Sequence, residues 1–202
     1  SQYFVAVDDD RQKYLALKDI YSNLTVSLCI IYANSVKRVT ELYEAMLEDG
    51  FPVCCIHSNM EKSKRDESYS DFKAGKHRVL ISSNVTARGL DVQQVSTVIN
   101  FDLPNVPESY VHRIGRTARA GADGKAIAFC APDEHKQLWD IEKVIKMDIP
   151  VVEMEGLTQN LIPNFEKPAP RRRGGGANSK RGSGPRDNNS RNNSKSGKKP
   201  FR

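Results

Sequence analysis

The chain lacks the features that mark several classes of protein. Its four cysteines, Cys29, Cys54, Cys55 and Cys130, form no C-x-x-C pair and have no histidine pair at zinc-site spacing. No apolar run approaches the ~20 residues that cross a bilayer, and no charged segment followed by an apolar run opens the chain. We therefore expect reduced core cysteines in an intracellular protein of the cytoplasm or the nucleus, with no metal site and no membrane partner.

Acidic and large apolar residues are nearly absent from residues 167–202. This segment holds 12 Lys and Arg against one acid, Asp187, whereas the rest of the chain holds 19 bases and 24 acids. The net charges are therefore +11 and −5. A segment with so little apolar surface cannot offset the entropy lost on ordering. The composition predicts one folded domain over residues 1–155 and a disordered basic tail, rich in Arg, Gly, Ser and Asn, over residues 156–202.

Short apolar runs recur through the first 130 residues. They are residues 28–31, 53–56, 79–81, 98–101 and 126–130. Each is too brief for a helix and too continuous for a strand with one face in water, so they predict parallel strands covered on both sides. Segments with helical periodicity lie between them. This alternation predicts an α/β fold with a doubly wound parallel sheet flanked by helices.

Three of the predicted helices have recognisable ends. The first begins after Ser35, a good N-cap, and stops at Gly50. The second runs from about residue 63 to residue 72 and ends near Gly75. The third follows Pro132, stops before Pro150 and carries Trp139, which we interpret as a core residue.

A dense cluster of positive charge stands in the second half of the chain. Residues 112–119 read His-Arg-Ile-Gly-Arg-Thr-Ala-Arg, which places three guanidinium groups and an imidazole within one short run. Arg is a permanent planar cation that binds phosphate oxygens in pairs. The run therefore indicates a phosphate site. A solvated charged turn is the alternative when the run is taken alone.

A second polar segment stands upstream of that cluster. Residues 82–91 read Ser-Ser-Asn-Val-Thr-Ala-Arg-Gly-Leu-Asp and follow directly on an apolar run. Loops at the carboxyl ends of strands are where open α/β sheets bind ligands. Together the two segments resemble motifs VI and V of the DEAD-box ATP-dependent RNA helicases of superfamily 2. Residues 30–35, which resemble motif IV, and residues 57–60 with Arg65 extend the resemblance over roughly residues 2–150.

The resemblance implies the C-terminal, RecA-like domain of a two-domain enzyme that hydrolyses ATP and unwinds RNA duplexes locally. The arginine fingers of the family match Arg116 and Arg119. Their spacing of three residues places both guanidinium groups on one face if the segment is helical. Such fingers stabilise the charge that develops on the transferred phosphoryl group.

The resemblance also implies contacts to the rest of the nucleotide. Gly89 allows close approach of the backbone, and Asp91 accepts a hydrogen bond from the ribose. His112 and Arg113 couple the nucleotide to the rest of the cleft. Two alternatives stay open, an N-cap role for Asp91 and a structural role for Arg113.

Six further positions match places where the family contacts the RNA backbone. Backbone contacts suit an enzyme that acts on many sequences, because they carry no base information. Taken singly, each of the Ser and Asn residues also fits an ordinary turn or cap. Arg88 faces either RNA phosphate or acids of the opposed domain. The six positions are Asn34, Ser35, Ser58, Arg65, Ser83 and Arg88.

Two departures from the family pattern keep rival functions open. Asn84 stands where an Asp is usual, and Ala118 stands where a Gly is usual between the proposed fingers. These changes favour testing a non-catalytic RNA-binding or adaptor module with a helicase fold. A helicase-like DNA translocase is a second rival.

Half of the expected active site is missing from the sequence. It contains neither the G-x-x-x-x-G-K-[ST] phosphate loop nor the Asp-Glu-Ala-Asp magnesium box. The resemblance therefore implies that ATP and its Mg²⁺ are held mainly by an N-terminal RecA-like domain, which we expect upstream of Ser1. We expect this fragment alone to be inactive. Its implied partners are that domain, RNA and protein cofactors.

Truncation after Glu166 tests the role of the basic tail. Basic tails bind nucleic acid through counterion release, so ~8 phosphate contacts give a log–log salt slope of about −6 for a single strand. Removing the tail should weaken RNA binding strongly at low salt and little at high salt, as measured by fluorescence anisotropy. Equal affinity of the full and truncated chains at low salt would contradict the prediction.

Overall fold

The computed structural model describes residues 1–23, 27–83, 95–117 and 124–151. The chain divides into two units, Ser1–Glu166 and Lys167–Arg202, and every described residue belongs to the first. The predicted boundary at residues 155 and 156 and the predicted tail lie outside the described residues.

Strands and helices alternate along most of the described part of the chain. The strands are β1 (Gln2–Ala6), β2 (Cys29–Ala33), β3 (Val53–Ile56), β4 (Val79–Ser83), β5 (Thr97–Asn100) and β6 (Lys125–Cys130). The helices are α1 (Asp10–Asn23), α2 (Val36–Glu48), α3 (Lys62–Lys73), α4 (Pro107–Ile114) and α5 (His135–Ile145). A single 3₁₀ turn, Pro132–Glu134, leads into α5. The alternation confirms the predicted α/β class.

All six strands run parallel in one sheet of order β1-β6-β5-β2-β4-β3. Ile31 of β2 lies opposite Ile81 of β4 and Ile99 of β5, which fixes the register at the centre of the sheet. Because the strands are parallel, the residues that follow them all meet at one side, here called the carboxyl edge. There the ends of β2, β4 and β3 are neighbours.

Helices cover both faces of this sheet. On one face, α1 and α2 bury Leu17 and Val39 against Ile31. On the other, α3 packs beside β2 and β4 through Phe72, and α4 and α5 cover β1 and β6 through residues such as Tyr110. Alternate residues of each strand therefore enter opposite cores. This arrangement explains the uninterrupted apolar runs in the sequence.

The helix boundaries follow the signals in the sequence. The Oγ of Ser35 accepts a hydrogen bond from the backbone N of Arg38 at 3.2 Å, which confirms the predicted cap of α2. Gly50 and Gly75, which follow α2 and α3, have φ angles of +79° and +74°. This conformation costs glycine little and other residues more, so both glycines end their helices as predicted.

The core assignment of Trp139 is wrong. Leu138 and Ile141 of α5 are buried, but Trp139 is 44% exposed. Its position next to Leu138 in the sequence turns the side chain about 100° away from the buried stripe. Helix α1 was not predicted because its buried stripe includes the charged Lys13, and α4 was not predicted because it has only eight residues.

The four cysteines are free and buried, as predicted. Burial raises the pKa of the Cys29 and Cys130 thiols to about 12, so both stay protonated at neutral pH. No helix in the described part of the chain has the length and apolar character needed to cross a membrane.

Replacement of Phe72 tests how α3 is anchored. Phe72 is the one buried residue of this helix and has no exposed surface. Phe72→Ala should lower the free energy of unfolding by about 3–5 kcal/mol, because it removes the aromatic ring and leaves a cavity. Chemical denaturation measures this, with the exposed neighbour Ser70→Ala as control. Equal stability of the two variants would show that α3 is held in another way.

Candidate functional site

The carboxyl edge gathers four of the residues predicted to contact RNA. Asn34 and Ser35 directly follow β2, Ser83 ends β4, and Ser58 lies just beyond β3. Since β2, β4 and β3 are adjacent in the sheet, the four residues line one continuous part of the edge. Arg65 lies in α3, whose first turn begins at the same edge.

These side chains differ in their exposure to solvent. Ser35 and Ser58 are exposed, and the Ser58 hydroxyl lies 3.3 Å from Asn59 Oδ1. Ser83 is only 5% exposed. The half-buried Arg65 has no carboxylate within ion-pair distance among the described residues. Arg88 lies outside the described residues, and direct contact with RNA stays a prediction for all six positions.

Both polar atoms of the Asn34 side-chain amide form hydrogen bonds within the domain. Its Nδ2 donates to the carbonyl of Leu103 at 2.7 Å, and its Oδ1 accepts from Nη2 of Arg113 at 2.9 Å. Its backbone N donates to Oδ2 of Asp102 at 3.0 Å. These bonds fix the loop that also presents Ser35.

Arg113 is buried, with 2% of its surface exposed. Besides Asn34, its guanidinium donates to Oδ1 of Asn100 at 3.0 Å and to the carbonyl of Asp102 at 2.7 Å, and it lies 5.1 Å from the ring centroid of Tyr32. Burial lowers the pKa of Arg113 to about 10, against the influence of Tyr32 and Asp102, so it stays charged at neutral pH. These contacts support the structural alternative for Arg113, and its contact with nucleotide stays a prediction.

The carboxylate of Asp102 contacts two basic side chains in addition to the backbone of Asn34. It is 6% exposed, and its carboxylate accepts from Nη2 of Arg38 at 3.0 Å and lies 3.6 Å from Nζ of Lys13. Burial alone would raise its pKa, but hydrogen bonds from Arg38 and from the backbone of Asn34, together with Lys13, hold the pKa below the ordinary value.

Lys13 is also buried and paired. Its Nζ lies 2.7 Å from Oε2 of Glu134 and 3.6 Å from Oδ1 of Asp10. The same oxygen of Glu134 accepts a hydrogen bond from the backbone N of Ala131 at 3.0 Å, which ties α1 to the end of β6. The carboxylates offset the cost of burying the ammonium group.

A polar cavity of about 590 Å³ opens beside this ion-pair network. It lies at the ends of β1, β2, β5 and β6, and acids predominate among its lining residues. These are Asp8, Asp9, Asp10, Asp102, Asp133 and Glu134, together with Lys13, Asn34, Arg38, Asn105, Ala131 and Gln137. The carboxyl edge is therefore acidic toward β1 and β6, and small and polar toward β4 and β3.

Arg116 does not lie in a helix, so the condition for a shared helical face with Arg119 is not met at Arg116. Helix α4 ends at Ile114, and Arg116 lies in a following turn in which its backbone N donates to the carbonyl of Arg113 at 3.2 Å. Burial raises the pKa of Tyr32 to about 12, and the positive charges of Arg116 and Arg113 oppose that rise. Arg119 lies outside the described residues.

The remaining predicted nucleotide residues are only partly described. His112 is exposed on the last turn of α4. Gly89 and Asp91 lie outside the described residues, as do Asn84 and Ala118. Among the residues that the structure describes, no group of three or more His, Cys, Asp or Glu could hold a metal ion.

Asp102 belongs to this site although it is not among the predicted residues, and its position in the sequence is a signal for it. It directly follows the end of an apolar run, as Asn34 does, and the same reasoning applies to both. Lys13 and Arg38 carried no such signal, since their role depends on how α1 and α2 meet in three dimensions.

Known proteins are similar to this chain in sequence and in fold. The sequence profile of the helicase conserved C-terminal domain matches residues 12–121. The ATP-dependent RNA helicase FAL1 of Eremothecium gossypii is 46% identical over 142 residues, which cover 70% of this chain and 36% of that protein. Eukaryotic initiation factor 4A-3 of Nicotiana plumbaginifolia is 45% identical over 148 residues, or 73% of this chain and 38% of that protein.

This chain belongs to the DEAD-box RNA helicase family. Escherichia coli SrmB, solved as a complex with the regulator of ribonuclease activity A, superposes with a TM-score of 0.75 at 31% identity over 84% of this chain and 97% of that one. The C-terminal domain of Dbp5 gives 0.69 at 32% identity over 75% and 89%. The sheet is thus that of a C-terminal RecA-like helicase domain. The chain spans little more than a third of the length of the curated helicases it matches.

Replacement of Asp102 tests the network that holds the Asn34 loop. Asp102→Asn should lower the free energy of unfolding by about 3 kcal/mol at neutral pH, because it leaves buried bases without their partner. The wild-type carboxylate has a lowered pKa in the fold, so its stabilisation is present above the unfolded pKa of about 4 and is lost as the pH falls below it. The variant should therefore also show a shallower loss of stability in acid.

The exposed acid of the same network provides the control. Asp10 also pairs with Arg38 and Lys13, but its side chain is 64% exposed. Asp10→Asn should cost at most about 1 kcal/mol in the same denaturation experiments. Similar losses for the two variants would contradict a special role for the buried carboxylate.

Proposed function

We propose that this chain is the C-terminal half of an ATP-dependent RNA helicase that unwinds short duplexes locally. The observation that carries the proposal is the hydrogen bond of 2.9 Å between Arg113 and Asn34. It ties the loop of Asn34 and Ser35, on the proposed RNA side, to the segment that presents Arg116 on the proposed nucleotide side.

The proposed RNA surface is the carboxyl edge of β2, β4 and β3. Small polar groups at Asn34, Ser35, Ser58 and Ser83 suit sugar and phosphate oxygens, and Arg65 adds a positive charge. Such contacts hold a strand without reading its bases. Arg88 extends this surface in the proposal.

The proposed nucleotide contacts come from Arg116 and Arg119 as arginine fingers, with Gly89, Asp91 and His112 around the sugar and phosphates. Positive charge aimed at the γ-phosphate stabilises the transition state as negative charge spreads over its oxygens. The exposed His112 and the half-buried Arg116 lie on one short segment, as this arrangement requires. In the proposal, ATP and Mg²⁺ are held mainly by an N-terminal RecA-like domain.

Unwinding would follow from closure of the cleft between the two domains. ATP and RNA both favour the closed pairing, since each gains contacts there that the open state lacks. Hydrolysis then releases the strand. Protein partners would act by favouring one state. The solved complex of SrmB with the regulator of ribonuclease activity A is one precedent for a protein partner.

RNA-stimulated ATP hydrolysis tests the proposal in the longer protein that also carries an N-terminal RecA-like domain. Arg116→Ala should reduce stimulated turnover by about 10³-fold or more, because a finger contributes on the order of 10³–10⁵. The present fragment alone should show no turnover. Arg11→Ala, an exposed arginine on α1, should leave turnover unchanged.

Two outcomes would contradict the proposal. Undiminished turnover of Arg116→Ala would show that Arg116 is not an arginine finger. Absent turnover of the longer protein, with RNA binding retained, would instead support the non-catalytic adaptor.

A further inference from the structure

Three exposed apolar side chains lie along the outer side of β1 and α5. Met147 is 49% exposed, Trp139 is 44% exposed and Val151 is 41% exposed. Burial of apolar side chains is favourable, and a cluster of exposed ones marks a surface that binds something. None of the three has a role in the proposed helicase site. We call these three residues the β1–α5 patch.

The chain returns to the edge of the sheet where the described part ends. β1 is the first strand in the sheet order, so among the described residues no other named strand lies on its outer side. The backbone N of Phe4 donates to the carbonyl of Pro150 at 3.0 Å, and Phe4 pairs with Val151 in a parallel bridge. Sδ of Met147 lies 3.7 Å from Nε2 of Gln2, at the start of the same strand. Because the bridge is parallel, the chain passes Val151 in the direction of β1, toward the carboxyl edge.

Trp139 lies on the side of α5 that faces this returning chain. Oε1 of Glu142 accepts a hydrogen bond from the backbone N of Ile149 at 2.8 Å, which places Glu142 on that side. Trp139 precedes Glu142 by three residues, so it lies on the same side of the helix, about 4.5 Å along the axis. Helix α5 starts after β6 and ends beside the start of β1, so this step leads toward the carboxyl edge. Trp139 therefore lies beside the path of the chain at Val151.

The residues that follow Val151 contain the last cluster of apolar side chains in the sequence. Residues 167–202 contain a single large apolar residue, Phe201. The division of the chain after Glu166 keeps the apolar cluster in the same unit as the sheet. The linking residues 152–156 reach about 20 Å when extended, so the cluster can fold back over the patch. The apolar cluster consists of Leu157, Leu161, Ile162 and Phe165.

We propose that residues 157–165 dock on the β1–α5 patch and cover Trp139 and Val151. Connection within one chain gives the segment an effective concentration in the millimolar range, so it binds ahead of a second copy or another protein. The docked segment would also shield the outer side of β1, because an open strand edge is a site for pairing with another chain.

The proposal moves the end of the folded domain. Composition predicts the boundary at residues 155 and 156, whereas a docked segment places the start of the basic tail near residue 167. The patch lies at the β1 end of the sheet order, and β4 and β3 lie at the other end. The inference therefore does not depend on RNA binding, on ATP hydrolysis or on Arg116.

The single tryptophan makes the docking measurable in the full chain. Acrylamide quenching of its fluorescence reports how much of the indole ring is open to solvent. The double variant Leu161→Ser, Phe165→Ser should raise the quenching constant at least about 2-fold, because much of the ring loses its cover. Its emission maximum should also shift to longer wavelength. Gln159→Ala, Asn160→Ala changes the same segment without removing an apolar side chain and should leave both values unchanged.

Amide hydrogen exchange gives a second measurement on the same proteins. In the full chain, residues 157–165 should exchange at least about 10-fold more slowly than residues 167–202, because docked amides are shielded from water. The Leu161→Ser, Phe165→Ser variant should lose this difference, and exchange across β2 should stay slow. Equal quenching constants for the full chain and this variant would overturn the proposal, as would equal exchange of the two segments in the full chain. Quenching that rises on dilution of the full chain would identify a second copy as the occupant and would also overturn it.

Discussion

A buried guanidinium group organises the carboxyl edge of this domain. Arg113 cannot shed its charge at neutral pH, so it must find acceptors inside the protein. It finds them on Asn34, on Asn100 and on the carbonyl of Asp102, which belong to the ends of β2 and β5. Helix α4 is thereby fixed against the loops that follow β2 and β5. Loss of any one acceptor would leave a buried charge incompletely paired.

The two halves of the carboxyl edge differ in electrostatic character. Toward β1 and β6, acids predominate in the lining of the cavity, and its two bases, Lys13 and Arg38, are already paired with acids. Toward β4 and β3, the exposed Ser58 and Asn59 are neutral, and Glu61 and Lys62 at the start of α3 carry opposite charges. Phosphate is repelled by the first half and tolerated by the second. In the proposed function, this difference would favour an RNA strand on the side of β4 and β3.

The sequence predicted the sheet well because buried parallel strands leave an unmistakable pattern. Five uninterrupted apolar runs correspond to β2 through β6, and capping signals such as Ser35 and Gly50 located the ends of α2. Helix α1 was not predicted because its buried stripe includes Lys13, whose burial depends on pairing with Asp102 and with Glu134 of the 3₁₀ turn. The core prediction for Trp139 was wrong because it rested on the aromatic character of the residue alone. The position of Trp139 around the axis of α5 turns its side chain toward solvent.

The candidate site was predictable where it depended on loop position and unpredictable where it depended on pairing. The residues at the ends of β2, β4 and β3 were predicted from the family resemblance, and the structure places them together at the carboxyl edge. The run of arginines leaves a structural role for Arg113 open but cannot establish it, since the burial of this residue depends on the packing of α4. The end of α4 at Ile114 likewise separates Arg116 from the helix in a way that the three-residue spacing did not reveal.

Amide hydrogen exchange with and without single-stranded RNA tests the central claim most directly, since it reports on the carboxyl edge independently of catalysis. The account predicts slowed exchange at residues 34–35, 58–59 and 83 when RNA binds, and unchanged exchange around the acidic cavity at residues 8–10. Protection of the acidic half, with none at the ends of β2, β4 and β3, would contradict it.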